Sequence, residues 1–309
     1  MISVLTTLMP VLLIVLFGML LRRRRVLSER TVSELKNLLT NNILPVVIFN
    51  ALATAQLNDR SWIQIGFMMA ILFAAFGLGF LVRRLVREPY RKYVPFMVTL
   101  YEGGMIAYPL YSQLCGTENL YRIAILDIAG ILFCFGFYMN VLASVESGEK
   151  GTFKEGIVKA LKTPAFVAAL LGVIMDCTGL VDPFVASKVG GIYTAIVRTI
   201  SAPLTPMILL VVGYSIEADR EMIVPCLQTI GLRILIQAVM MAIALFAMHR
   251  MMGADPVRDK AILVFMSVPT TYSLQSFIKD RQGANFASTV NALYIFVTIA
   301  VYAVAAQLN

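Results

Sequence analysis

Residues 102–109 read EGGMIAYP, in the middle of a run, 93–115, that is otherwise apolar. A plain hydrophobic helix would fill such a run with less strain, so the carboxylate, the glycine pair and the proline need a reason. Proline inside a helix removes a hydrogen bond and its ring clashes with the preceding turn. Gly103 and Gly104 add backbone freedom, and the run therefore reads as two half-helices separated around residues 103–109. A second apolar run, 260–279, carries SVPTTYS at residues 267–273, and a matching break is expected beside Pro269.

What such breaks mean depends on the medium around them. The chain has 309 residues, of which 59% are hydrophobic and 14% charged, and its mean hydropathy is +0.80. Those values are too apolar for a water-soluble globular protein and describe a polytopic membrane protein. The formal net charge of +8 comes from short basic clusters between apolar runs, without the basic patch and interleaved aromatics of a nucleic-acid surface. Cys115, Cys134, Cys177 and Cys226 are far apart, lie in or near apolar segments and form no CxxC pair, so they read as buried thiols, with neither a disulfide framework nor a metal site. His249 is the single histidine, and no HExxH, GxGD or serine–base pairing occurs, so an enzyme is not expected.

A bilayer core of roughly 30 Å needs about 20 helical residues. On that ruler the chain is all-α with ten transmembrane helices, near 2–21, 32–55, 62–82, 93–115, 120–145, 164–180, 189–215, 222–248, 260–279 and 285–308. The first reads as a membrane helix rather than a signal, because no basic residue precedes its apolar part and Arg22 to Arg25 follow it. The first half of the second, TVSELKNLLTNN, is amphipathic and should face protein or a water-filled cavity. Cytoplasmic loops carry the excess of lysine and arginine. With the N-terminus outside, the odd-numbered loops hold 17 basic residues and the even-numbered ones 6, which favours both termini extracytoplasmic.

The prolines suggest a repeat. Pro109 and Pro269 are 160 residues apart, and Pro45 and Pro206 are 161 apart. Five helices per half is an odd number, so the second half is inserted upside down, giving two inverted repeats with broken helices four and nine. Domain limits follow: 1–146 is the first repeat, 147–163 a short cytoplasmic linker and 164–309 the second repeat. This is a recurrent carrier architecture, with the solute handled near the midplane at the broken helices. Irregular backbone inside a membrane is tolerated only where protein or water satisfies it, so both breaks belong at a cavity. Half-helix N-termini aimed into that cavity suit an anionic group.

Glu102 lies nine residues beyond Tyr93, roughly 13 Å into the membrane at the helical rise. Ionisable residues at that depth usually mark a pathway. Desolvation disfavours the charged form, so Glu102 reads as a group that changes protonation during a transport cycle; the bland alternative is a structural pair with Arg233. Arg233 itself reads as a carboxylate or substrate partner. Asp127, in ILDIAG, suits ion handling or helix capping equally. Lys36 and Arg198 lie in the first turns of their spans and are expected to snorkel to the interface. The hydroxyls of Thr270, Thr271, Tyr272 and Ser273 either contact solute or bond the broken backbone.

Several strings in their order resemble the auxin efflux carrier family, bacterial type, related to the plant PIN auxin exporters. MPVLLIVLFGMLLRRRRVLS looks like the family's first helix and its basic exit, and NNILPVVIFNAL like the second helix. SAPLTPMILLVVG is similar to the matching helix of the second repeat, and SVPTTYS followed by ASTVNALYIFVTI to the end of the chain. The resemblance implies a transport domain of helices 3–5 and 8–10 that moves against a scaffold of helices 1, 2, 6 and 7, with a homodimer formed through the scaffold. It also implies that Pro109 and Pro269 mark a crossover, with Asn41, Asn42 and Pro45 on the scaffold side. Together with Glu102, Gly103, Gly104, Tyr108, Asp127, Arg233, Thr270, Tyr272 and Asn291, these form the candidate substrate- or ion-binding set. Where the family presents a Gly-Asn pair ahead of the crossover proline, this chain has Tyr101 and Glu102. An amide there would bind a carboxylate directly; a glutamate repels it unless protonated or matched by a cation.

The expected function is a secondary carrier in a plasma or inner membrane, moving a small organic anion by alternating access. No cofactor is expected; a proton or sodium is the coupling ion to look for. The alternatives are a sodium/proton antiporter of related architecture and a membrane sensor that binds without turnover.

Overall fold

The protein is built inside out relative to a water-soluble one. Leu13, Phe17, Leu171, Ile192, Leu235 and Phe246 are exposed, whereas Thr99, Glu102, Asp127, Arg233, Gln237, Asn291 and Thr298 are buried. Hydrocarbon outside and hydrogen-bonded polar groups inside is the arrangement a bilayer demands. The computed structural model describes residues 2–55, 57–147, 158, 161–187, 189–215, 222–272, 274 and 278–308. Most of the linker expected at 147–163 lies outside them, as do Lys188, Arg220 and Ser273.

All regular structure among the described residues is helical. Its α-helices are α1 (Ile2–Arg23), α2 (Glu29–Leu38), α3 (Leu44–Ala53), α4 (Asp59–Val82), α5 (Val94–Met97), α6 (Tyr108–Cys115), α7 (Leu120–Phe133) and α8 (Met139–Ser147). They continue with α9 (Pro164–Thr178), α10 (Val181–Ala186), α11 (Gly190–Ser201), α12 (Leu204–Ser215), α13 (Ile223–Met252), α14 (Pro256–Ser267) and α15 (Arg281–Ala305). Five segments are long and apolar enough to cross a bilayer: Asp59–Leu85, Thr117–Glu146, Gly190–Tyr214, Ile223–Met252 and Arg281–Ala305. The 22-residue α1 is also continuous, and α9 is a shorter apolar helix.

Several helices start earlier than hydropathy alone indicates, because polar caps extend them. Asn58 and Ser61 form a reciprocal capping box at α4, Asp255 accepts from the N–H groups of Val257 and Arg258 at α14, and Asp280 does the same for Gln282 and Gly283 at α15. A polar cap satisfies the free N–H groups of a helix's first turn, which hydropathy does not register.

The interruption in the fourth span is displaced from the expected place. It falls at residues 98–102, between α5 and a wide turn with i→i+5 hydrogen bonds at Gly103–Ala107, while Pro109 sits in the first turn of α6. The proline is accommodated by widening the turn ahead of it, so that its missing N–H leaves no ordinary helical bond unmade. Pro45 repeats the pattern behind the wide turn Leu39–Ile43. In the ninth span α14 stops at Ser267 and Val268 is extended, so Pro269 lies within the break itself.

Two helix pairings are the most extensive among the described residues: α1 against α12, and α3 against α9. Glycines bring the backbones together. A Cβ at Gly213 would lie 2.1 Å from the Val15 carbonyl oxygen, one at Gly18 2.3 Å from that of Leu210, and one at Gly172 2.9 Å from that of Phe49. Separately, α4 packs on α5, α7 and α13, and α14 on α7, α13 and α15, which surrounds both breaks with helices.

Candidate functional site

The residues between α5 and the wide turn leave several carbonyls without helical partners, and each such group in a dry interior needs a donor. Side chains from neighbouring helices supply them. On α13, Arg233 donates to the carbonyls of Met97 (2.6 Å), Leu100 (2.8 Å) and Val268 (2.7 Å), and Gln237 donates to Val98 (2.6 Å). The hydroxyls of Tyr138 (2.8 Å) and Thr270 (3.2 Å) both reach the Phe96 carbonyl, and Thr298 reaches that of Ser267 (2.7 Å). The guanidinium of Arg233 thus sits at the C-terminal ends of α5 and α14, where helix dipoles favour a cation, and lies 4.9 Å from the centroid of the Tyr294 ring. The two breaks also meet directly, since the Glu102 N–H donates to the Pro269 carbonyl at 2.8 Å.

Against this knot lies a cavity of about 410 Å³. The Glu102 carboxylate, 9% exposed, accepts from the N–H of Tyr272 (2.6 Å) and of Met105 (3.3 Å) and bonds the Thr271 hydroxyl. It caps the half-helix that begins at Gly103, so the anion seat at that N-terminus is filled by the chain's own carboxylate. Asp127, on α7, bonds the Tyr108 hydroxyl and lies against Gly103; a Cβ there would be 2.7 Å from both carboxylate oxygens. Facing these acids from α2 is Lys36, its ammonium 5.4 Å from the centroid of the Tyr272 ring and in electrostatic contact with Glu102.

Of the residues picked out in the sequence, Asn41, Glu102, Gly103, Gly104, Asp127 and Tyr272 line the cavity. Tyr108 stands behind Asp127. Thr270 and Arg233 are spent on the broken backbone; Arg233 makes no ion pair with Glu102 among the described residues and is absent from the cavity wall. Asn42 is exposed off the wall, while Pro45 and Pro109 shape the wide turns and Pro269 accepts from Glu102. Asn291 is buried on α15, on the helical face that also carries Tyr294 and Thr298, and its amide nitrogen has no hydrogen-bond partner among the described residues.

Sequence reading missed Lys36 as a cavity residue and placed it at the interface. The signal was the amphipathic start of the second span: Ser33, Lys36, Asn37, Thr40, Leu44 and Ile48 recur at helical spacing and all line the cavity. Snorkelling is unnecessary where water enters the protein. The three wide turns, Leu39–Ile43, Gly103–Ala107 and Cys134–Tyr138, each contribute to the wall, in keeping with the frequent use of such turns at functional sites.

Comparison with known proteins agrees with a membrane function. The chain is 25% identical over 242 residues to an uncharacterized transporter of Methanothermobacter thermautotrophicus, covering 76% of each chain. A family profile described as membrane transport protein matches residues 3–306. The chain is a multi-pass membrane transporter and belongs to the membrane transport protein family, that of the auxin efflux carriers.

Proposed function

We propose that the protein is a secondary carrier that moves a small organic anion, a mono- or dicarboxylate, by alternating access coupled to a proton. The observation that carries this reading is the single lysine, Lys36, set against Glu102 and Asp127 in one cavity. With all three ionised the cavity is net negative and repels an anion. Binding then requires that Lys36 turn from Glu102 to the incoming carboxylate and that Glu102 take up a proton, so anion and proton favour each other's binding reciprocally. The half-helix N-terminus that Glu102 caps and the hydroxyls of Thr271 and Tyr272 offer further donors.

The moving parts are two inverted five-helix repeats, with a scaffold of spans one, two, six and seven and a transport domain of the rest. The dominant pairings support this: α1–α12 joins spans one and seven and α3–α9 joins two and six, and exchanging the halves converts one pairing into the other. The breaks in spans four and nine form the crossover. By the basic loops both termini are extracytoplasmic, the cavity opens to the cytoplasm, and the host is an inner or plasma membrane. Two copies pair through the scaffold, where Ile192 and Ile196 of α11 form an exposed apolar edge.

The test is anion uptake into proteoliposomes across a set of mono- and dicarboxylates, at two pH values with and without sodium. Uptake driven by an inward proton gradient is the expected result, with Lys36→Gln abolishing it in a folded protein. A second reading, cation exchange by Glu102 and Asp127, is favoured by the surplus of carboxylates over lysine; ion flux without any organic substrate would establish it.

A further inference from the structure

The opposite end of α7 carries a second recess, of about 610 Å³. The two share that helix: Tyr121, Arg122 and Ile125 line the recess, and Asp127 and Gly130 line the cavity. Arg122 and Asp127 are therefore roughly 8 Å apart along the axis.

Three arginines converge on this recess from the first turns of three helices or their leading edge: Arg60 of α4, Arg122 of α7 and Arg258 of α14. Each of these helices has at least 12 residues, so three positive dipole ends meet there as well. Asp255 is the single carboxylate among the lining side chains. One of its oxygens caps α14 through the N–H groups of Val257 and Arg258, and the other takes Arg122 at 2.5 Å. The donors exceed the acceptors. Arg258 is 6% exposed and uses one terminal nitrogen on the Gly253 carbonyl, yet its Nε has no partner among the described residues. Among the described residues the buried Nε of Arg122 likewise has no partner, and Arg60 is exposed and makes no ion pair. Buried guanidinium donors without acceptors are costly, and a carboxylate or phosphate oxygen is the group whose geometry matches them.

We propose that this recess is a second anion site, in which Arg60, Arg122 and Arg258 hold a carboxylate or phosphate group at the far end of α7 from the cavity. It goes beyond the carrier reading and does not depend on which solute the cavity takes. The occupant is a soluble anion waiting at the second mouth or the headgroup of an anionic lipid; both present the same oxygens.

Trp62, the chain's single tryptophan, lies in the first turns of α4 beside the lining residue Ser61 and reports on the recess. Inorganic phosphate is titrated, at constant ionic strength, into full-length protein in phosphatidylcholine nanodiscs while Trp62 fluorescence is followed. A saturable change is expected. Arg60→Gln, at an exposed position that tolerates substitution, should weaken it by about tenfold, the loss of one charged hydrogen bond. Asp255→Asn retains a capping side chain and frees Arg122, so it should tighten binding. The Lys36→Gln protein should titrate like the parent, which separates this site from the cavity. A response that disappears when the discs contain phosphatidylglycerol identifies the lipid headgroup as occupant; one that persists identifies a soluble anion, and both support the site. No response in phosphatidylcholine, or equal responses in the parent, Arg60→Gln and Asp255→Asn proteins, overturns it.

Discussion

Glu102 occupies the half-helix N-terminus, a place that would otherwise suit an external anion, and Lys36 stands across from it. Glu102→Gln keeps the shape and one acceptor oxygen while removing the charge. It should retain anion binding and flatten its pH dependence, whereas the parent's affinity should fall as pH rises and the proton leaves Glu102. Titration of a bound carboxylate by thermal shift at several pH values measures both, since a ligand selective for the folded state raises apparent stability. A steep pH dependence in a well-folded Glu102→Gln protein would count against this residue and leave Asp127 as the coupling acid. Arg233 behaves differently. Arg233→Met strips the donors from three buried carbonyls, and its expected effect is a loss of stability on the order of 3–5 kcal/mol, since each buried acceptor left unsatisfied costs about 1–3 kcal/mol. Reduced folded yield in detergent, with no change in the anion affinity of what folds, would be the signature.

The helices were largely legible in the sequence because a membrane makes hydropathy decisive, and the long apolar segments at Asp59–Leu85, Ile223–Met252 and Arg281–Ala305 overlap the expected spans. Their starts were less so, since Asn58, Asp255 and Asp280 extend helices into polar sequence. The position of the break in span four was misread for a related reason. The glycine pair and Pro109 point to residues 103–109, but Pro109 lies in the first turn of α6, and the irregular residues 98–102 are held by groups on α13 that are distant in sequence. Of the site, Glu102, Asp127 and Tyr272 could be found as polar residues in apolar runs; Lys36 required noticing which face of an amphipathic helix looked inward. Gly103 tests how tightly the opposite wall of the cavity is built. Gly103→Ala would place a methyl 2.7 Å from both oxygens of Asp127, so it should displace that carboxylate and depress transport strongly while expression is preserved. Gly213→Ala acts on an unyielding neighbour, the Val15 carbonyl at 2.1 Å, and should separate α1 from α12; crosslinking between cysteines placed on those two helices would report the loss.

At the scale of the whole molecule, orientation is open to direct test. Cys177 lies in the last turn of α9, at the end assigned to the outside, and is exposed rather than buried as its apolar setting suggests, so a membrane-impermeant maleimide should label it in intact cells once Cys115 is replaced by serine. Labelling only after permeabilisation would invert the orientation. The far end of the bundle also has a pH signature. Burial alone would raise the Asp255 carboxyl, but the hydrogen bond and charge of Arg122 and the N–H of Arg258 outweigh it and hold it below the usual carboxylate value. A depressed value in the folded state contributes stability that is present above the unfolded value of about 3.9 and is lost as pH falls through the folded one. Asp255→Asn should therefore lower the melting temperature at neutral pH, by an amount corresponding to about 0.5–1 kcal/mol for a partly exposed pair, and the gap to the parent should close in acid. The donors that hold the interrupted backbone of span four carry a consequence for motion. Unwound segments are commonly taken to be hinges, yet Arg233, Gln237 and Tyr138 fasten residues 96–100 to α13 and the α7–α8 turn. Such a segment is a rigid keystone: the Val98 and Glu102 N–H groups, bonded to the Val94 and Pro269 carbonyls, should exchange with deuterium as slowly as those of the helices around them, and the elastic parts of a transport stroke should instead lie in the connections between the α1–α12 and α3–α9 pairs and the rest of the bundle.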